Sequence, residues 1–368
     1  MKDNTKEINL SIIDVERRYM TDPIEVISNT GDDKPVMWGI DNQLPNLYKS
    51  CYLKSSTLKA TVDSAVNYVL GDDVIVSPEA AKWNQTVNRN GMTMKDLIEV
   101  LAFNLFVFNG YAFQVVYNKL GTPVEMFPLD LSRIRTNKYH TKIYFNKKEW
   151  TKYVGKYDEY DAYNPEKIDP EHPTQIYFYK ANSFNSVYPI PMYNGALNDI
   201  LVEMEASRYS LNTVSNGFAA KYIFNFPTTN NLTDEQKQAV NDGIRTKFCG
   251  SDAVANYMLY WKNDEEKGLE VTKLETDDTS EKYIAIKDSC RQNIFISMRT
   301  TPLLCGLPNA SNGFSTNEYR DSYKLYDRSV IAPARKTILN GINKVIGIPD
   351  AVKIAPFTIS FDDNNETN

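Results

Sequence analysis

Few residues in this chain are of a type that performs chemistry, and their spacing narrows the choice further. There are only two histidines, His140 and His172, both in polar, loop-rich stretches, which leaves little for His-ligated metal or His-based catalysis. Four cysteines, Cys51, Cys249, Cys290 and Cys305, lie far apart with no Cys-x-x-Cys pair. They read as reduced, mostly buried thiols of a cytosolic product. Three carboxylate pairs, Asp72-Asp73, Asp277-Asp278 and Asp362-Asp363, have the chemistry to bind a divalent cation or to hydrolyse a sugar. Each stands at the end of an expected element, where aspartate also caps helices and solvates turns. A phosphate-binding loop is absent, because the one Gly-Lys pair, Gly155-Lys156, is followed by Tyr157. Gly-x-Gly-x-x-Gly, Gly-x-Ser-x-Gly and His-Glu-x-x-His are absent as well. Tyr319, Tyr323 and Tyr326 alternate with Arg320, Lys324 and Arg328, a pattern able to stack single-stranded nucleic acid. At helical spacing the same tyrosines form one stripe suited to packing. No catalytic residue, metal ligand or cofactor is assigned.

The elements that must position these groups are set by composition and pattern. In 368 residues, 42% hydrophobic and 24% charged, there is enough apolar side chain to bury a core in roughly two structural units. Lys and Arg number 41 against 47 Asp and Glu, so a net charge of −6 gives no overall field toward nucleic acid or an anionic membrane. Met1-Lys2-Asp3-Asn4 has no apolar run behind it, and no stretch reaches the ~18 apolar residues of a membrane span. A soluble intracellular product with no membrane partner is expected.

Along the chain, Leu58, Val62, Ala65, Val66 and Val69 predict a helix over 55–70, stopped by Gly71. A second helix over 93–109 ends at Gly110, and strands follow at 112–118 and 124–127 around a turn. A Tyr- and Pro-rich section to 190 has seven acids against three lysines between Glu149 and Glu171. Leu197, Ile200, Leu201, Met204, Leu211, Val214 and Phe218 predict a helix over 193–220, roughly 40 Å long. Between it and a helix over 280–299 lies a compact mixed unit, 221–278. That unit holds a capping box at Thr233-Asp234-Glu235-Gln236 and a hairpin pairing 257–261 with 269–274. Two prolines and two glycines break the helix over 300–315, and a further helix over 316–346 is kinked near 329–332 by Pro333. The window from Arg299 to Lys344 has seven basic residues against three acidic ones. A strand at 352–361 closes the chain. Two long helices around a small unit cannot bury their own apolar faces, so copies must pack side by side.

The order of these pieces resembles the portal proteins of tailed bacteriophages. Tyr188-Pro189-Ile190-Pro191-Met192-Tyr193, leading to Asn216-Gly217-Phe218, is similar to the family's first stem helix. Leu232-Thr233-Asp234-Glu235-Gln236 with Phe248-Cys249-Gly250 is similar to its clip helix. Thr301-Pro302-Leu303-Leu304-Cys305-Gly306 resembles the Pro-x-Leu-Leu-Gly stretch, with Cys305 before the glycine as a departure. Phe314-Ser315-Thr316-Asn317-Glu318 and Val330-Ile331-Ala332-Pro333 match points of the helix beyond. Trp38-Gly39-Ile40-Asp41-Asn42 and Gly110-Tyr111-Ala112-Phe113 resemble wing segments. The similarity is collinear over about 38–346.

The resemblance implies an α+β portal fold. It divides into an N-terminal arm (1–37), a wing (38–192), a first stem helix (193–220), a small α/β clip (221–278) and a second stem helix (279–299). A tunnel loop (300–315), a kinked wing helix (316–346) and a C-terminal strand and tail (347–368) follow, with the crown absent or vestigial. It further implies a homo-oligomeric ring, usually of twelve, at one vertex of the virion capsid, assembled in the bacterial cytoplasm. Double-stranded DNA passes through, the terminase large subunit docks during packaging, and a head-completion or adaptor protein docks afterwards. Major capsid and scaffold proteins are neighbours, and nucleotide hydrolysis belongs to the terminase. Asn309, Ser311, Asn312 and Phe314 are the expected loop contacts to DNA. Glu265, Glu266 and Lys267 are the expected docking residues, in a stretch (262–281) with eight acids against three lysines. Two other readings stay open on the residues alone: a carboxylate-dependent hydrolase, and a different head–tail adaptor ring.

Overall fold

The computed structural model describes residues 25–26, 33–151, 155–181, 186–215, 222–227, 233, 235, 238–239, 242, 257–262, 270–273, 279–307 and 315–359. The chain divides into two compact units: residues 1–200 with 292–368, and, inserted within that sequence, Leu201–Arg291.

The first unit opens with two short strands, β1 (Glu25–Val26) and β2 (Met37–Trp38), paired antiparallel. Just before β2, Val36 is buried and its N–H donates to the Thr136 carbonyl at 2.9 Å. Helix α1 (Leu44–Lys54) follows, with Pro45 in its first turn where no intrahelical donor is needed. Ser55 then caps α2 (Ser56–Leu70), its Oγ accepting from the Leu58 N–H at 3.0 Å. Leu58, Val62, Ala65, Val66 and Val69 are all buried, as their spacing predicts. After β3 (Asp73–Val76), Thr93 and Asp96 form a capping box at the start of α3 (Met94–Phe108). The stop of α3 differs from expectation. Asn109 takes the left-handed conformation (φ 62°), while Gly110 opens the next strand. Glycine is required there because a Cβ would lie 2.8 Å from the Tyr179 carbonyl oxygen.

Six strands form the main sheet: β4 (Gly110–Tyr117), β5 (Pro123–Leu129), β6 (Ile134–Thr136), β7 (Lys142–Phe145), β8 (Asp158–Ala162) and β9 (Thr174–Lys180). Their order is β5-β4-β9-β8-β7-β6, antiparallel except for the β8–β9 pair. Strand β4, flanked by β5 and β9, is nearly continuously buried, so it lacks the alternation of a half-solvated strand. Phe113 faces Tyr177 across the β4–β9 register, and their rings stack 5.0 Å apart.

A 3-10 segment (Met192–Ala196) leads into α4 (Leu197–Ser215). The expected helix from 193 thus begins with a tighter turn, and its end at 216–220 lies outside the described residues. Tyr193 and Ile200 are fully buried in the first unit.

In the second unit, β10 (Tyr222–Pro227), β11 (Tyr257–Lys262) and β12 (Glu270–Lys273) form a three-stranded sheet. The expected 257–274 hairpin is not formed. Strand β10 lies between the other two, parallel to β11 and antiparallel to β12. Periodicity marks strands but carries no information on which neighbour each will choose. The Thr233-Asp234-Glu235-Gln236 capping box lies largely outside the described residues.

Helix α5 (Thr279–Ser297) returns the chain to the first unit. There Asp199 accepts from the Asn293 amide at 2.8 Å, tying the roots of α4 and α5. Helix α6 (Thr316–Tyr326), a π turn (Asp327–Ile331) and α7 (Ala332–Ile346) follow one another with no non-helical residue between them. The interruption falls where Pro333, lacking an N–H, predicts it. Strand β13 (Val352–Ala355), shorter than expected, pairs antiparallel with β3. Helix α7 comes close to the sheet at Gly341, where a Cβ would sit 2.5 Å from the Tyr111 hydroxyl.

Candidate functional site

The Pro/Gly segment 300–315 is held at both of its ends. At its start, Pro302–Cys305 form a 3-10 turn with Leu303 and Leu304 buried. At its finish, Ser315 caps α6, its Oγ accepting from the Glu318 N–H. The turn is thereby anchored in the first unit through Leu303 and Leu304, while Thr301, Gly306 and Leu307 are exposed. Removing the two leucine side chains from water favours this anchoring.

One phenol joins the two ends. The Tyr68 hydroxyl donates to the Leu304 carbonyl at 3.0 Å and lies 2.9 Å from the Tyr319 hydroxyl. Since a phenol has a single hydrogen, Tyr319 is the donor in the second contact. The Tyr68 ring also meets Tyr323 at 5.2 Å, Phe357 at 5.7 Å and Tyr326 at 6.2 Å. The tyrosine stripe is thus a packing face, with Tyr323 and Tyr326 buried. Burial raises the Tyr68, Tyr323 and Tyr326 hydroxyls, Tyr323 to about 12. The Cys305 thiol is also pushed up, chiefly by burial, against the opposing effect of a hydrogen bond with Ser64.

Beneath this cluster lies Arg335, 7% exposed. Its guanidinium donates to the Tyr68 carbonyl at 2.8 Å and the Val69 carbonyl at 3.2 Å, and pairs with Asp327 at 3.4 Å. A cation thereby caps the carbonyl end of α2, where the helix dipole is negative. In the sequence Arg335 stands only as one of the seven basic residues between Arg299 and Lys344. The available signal was its position: Ile331, Arg335, Ile338, Ile342 and Val345 follow four- and three-residue steps and are all buried. Tyr68 left no comparable signal, since its partners are more than 200 residues away in sequence.

Other candidates fall in plain settings. Asp72 Oδ2 accepts from the Thr358 N–H and Asp73 Oδ1 from the Val74 N–H, so this pair serves a strand end. Asp277-Asp278 and Asp362-Asp363 lie outside the described residues, as do Asn309, Ser311, Asn312, Phe314, Glu265, Glu266 and Lys267. His172 is exposed beside Asp169. His140, despite its polar, loop-rich stretch, is half-buried and stacks on Phe178 at 5.8 Å, and burial lowers its pKa. Cys51 and Cys290 are buried, and Cys305 is half-buried; all three are free thiols, while Cys249 lies outside the described residues. Among the described residues no group of three His, Cys, Asp or Glu could hold a metal ion, and no helix is long and apolar enough to cross a membrane.

No family model matches the chain, and no curated protein matches it in sequence. Solved structures do. A chain in the virion of a native gene transfer agent particle is 15% identical, with 89% of this chain and 86% of that chain covered at a TM-score of 0.58. A chain in the neck of a native gene transfer agent particle, treated in C12 symmetry, is 14% identical over 89% and 86% with a TM-score of 0.56. An HK97-family phage portal protein from Corynebacterium diphtheriae is 11% identical over 82% and 90% with a TM-score of 0.50. At these identities the likeness is one of fold. The chain has the mixed α+β fold of a phage portal protein.

Proposed function

We propose that this chain is the subunit of a portal ring, a conduit for double-stranded DNA at one vertex of a virion. The observation that carries the reading is coverage in both directions: 82% of this chain superposes on 90% of a phage portal protein. The neck match in C12 symmetry supports a ring of about twelve copies. The second unit, Leu201–Arg291, enclosed by α4 and α5, is consistent with the two-helix stem (193–220 and 279–299) and clip (221–278). The terminase large subunit and then a head-completion or adaptor protein dock at that end, with capsid and scaffold proteins around the wing.

Charge fits this role. Duplex DNA carries one negative charge per ~1.7 Å of axis, and a strongly basic channel would hold it instead of letting it slide. A chain with net charge −6 favours passage. Asn309, Ser311, Asn312 and Phe314 are the proposed transient contacts to DNA, held at their base by Tyr68. Glu265, Glu266 and Lys267 are proposed to meet a basic partner surface.

Native mass and negative-stain imaging of the purified chain test the ring, with about twelve subunits expected. A monodisperse monomer at micromolar concentration would overturn it. Shortening 309–313 should spare assembly and impair DNA translocation. Replacing Glu265 and Glu266 by Lys should slow terminase association and alter its salt dependence.

A further inference from the structure

Strand β3 presents an uncovered edge. Among the described residues it pairs with β13 alone, and a two-stranded sheet is marginal without a third strand or further packing. The Ser77 N–H donates to the Ala351 carbonyl at 2.8 Å, and backbone groups in an antiparallel pair alternate in direction. Ile75 therefore addresses β13, whereas Val74 and Val76 turn their N–H and C=O groups away from it. On β13 the outward groups of Val352 are met by Asn343, whose side chain accepts from the N–H at 2.9 Å and donates to the carbonyl at 3.1 Å. On β3 the Val74 N–H reaches only the carboxylate of its neighbour Asp73. Among the described residues the Val76 N–H and the Val74 and Val76 carbonyls have no partner.

Side-chain burial follows the same line. Val352 and Ile354 are buried, while Val74 and Val76, directly opposite them on the same face, are only half-buried. Ile75, on the other face, is 52% exposed. The cover this edge lacks is one extended segment with apolar side chains at alternate positions.

The chain carries such a segment ahead of β1. Ile8, Leu10 and Ile12 alternate with Asn9 and Ser11, the two-residue period of a half-buried strand, and these five residues match the four of β3 in length. The 12 residues between Ile12 and Glu25 can extend up to roughly 40 Å, more than the ~30 Å diameter of a small domain. The C-terminal tail suits the edge less well. The Thr358 N–H donates to Asp72, so Asp362, Asp363 and Glu366 would follow close to Asp72 and Asp73.

We infer that the chain's own Ile8–Ile12 segment docks on β3 as a third strand. Ile8, Leu10 and Ile12 lie beside Val74 and Val76, and Asn9 and Ser11 fall on the Ile75 face. Main-chain hydrogen bonds to Val74 and Val76 supply the affinity, and the alternating apolar side chains supply the register. Covalent attachment gives an effective concentration on the order of millimolar, which favours this segment over a free strand. The inference does not rest on the portal reading, because β3, β13 and the segment all belong to the first unit.

The test is residue-resolved hydrogen exchange on the full chain, on a variant lacking residues 2–20, and on full-length Leu10→Asp. The Val76 amide should exchange about tenfold faster in both variants than in the parent, with the fully buried Val62 of α2 as an unchanged reference. A synthetic peptide of residues 6–15 should bind the truncated variant saturably and restore that protection. It should bind the parent about tenfold more weakly, because there the edge is filled. Equal Val76 exchange in all three proteins, or equal peptide binding to parent and truncated chain, would overturn the docking. Acceleration at Val62 by the same factor in both variants would do so too, since it means general loosening. Val76 protection in the parent that fades on dilution would assign the strand to a second copy and overturn the intramolecular contact.

Discussion

The Tyr68 hydroxyl donates to the Leu304 carbonyl at 3.0 Å, although 236 positions separate the two residues. With Tyr319 hydrogen-bonding to the same phenol at 2.9 Å, one side chain on α2 ties together both sides of the 308–314 stretch. Tyr68→Phe keeps the ring contacts and removes both bonds. It should cost about 1–2 kcal/mol, and accelerate amide exchange at 302–306 and 316–320 before the rest of the first unit. Unchanged exchange at those amides would show that the hydroxyl is dispensable.

Arg335→Met should be more damaging. It strips the donor from the Tyr68 and Val69 carbonyls and leaves Asp327 without its partner, a loss of about 2–4 kcal/mol. Arg335→Lys should recover only part, since one ammonium cannot reproduce the planar fork. Denaturant melts followed by circular dichroism give the ranking parent, lysine, methionine.

Arg135 is 1% exposed, and its guanidinium lies 5.7 Å from the Trp38 ring and 5.2 Å from Trp150. It donates to Asn42, Ser132 and Ile134 oxygens, all neutral, and burial pushes its pKa down to about 10. Arg135→Met should lose about 3 kcal/mol or more by orphaning those acceptors, with a shift in tryptophan emission. A fully stable Arg135→Met would show that the two indoles hold this corner without the cation.

Gly341→Ala places a methyl 2.5 Å from the Tyr111 hydroxyl and 3.1 Å from the Tyr177 ring. Alanine's better helix propensity, about 1 kcal/mol, should not offset an overpacking cost of about 1–3 kcal/mol. The two changes should couple: in a Tyr111→Phe background Gly341→Ala should cost less. Additive losses would mean that the helix relaxes away from the sheet.

Alkaline pH should weaken the tyrosine cluster. Tyr323 is raised to about 12 from an ordinary 10, so the neutral phenol is the folded form. A raised folded pKa gives stability that is complete below 10 and declines as pH climbs from 10 toward 12. Melting temperature should therefore fall as pH climbs from about 10 to about 12, and fall less in Tyr323→Phe. Equal slopes would assign the loss to other tyrosines.

By itself the sequence determined the local elements and their punctuation. Three- and four-residue apolar steps marked α2 and α3, the helices were placed to begin near Ser55, Thr93 and Ser315, and Pro333 marked an interruption near 329–332. These signals act within a few residues, so they survive without knowledge of the rest of the fold. Tertiary structure alone decided the partners. Whether β11 pairs with β12 or flanks β10, and whether Leu303 and Leu304 line an open loop or the core, depends on surfaces brought together from distant stretches. Tyr68 and Arg335 belong to this second class, since their partners span α2, the 302–305 turn, α6 and the π turn. A hydrogen bond across more than 200 residues has no period, and only the packed chain can place its two ends 3 Å apart.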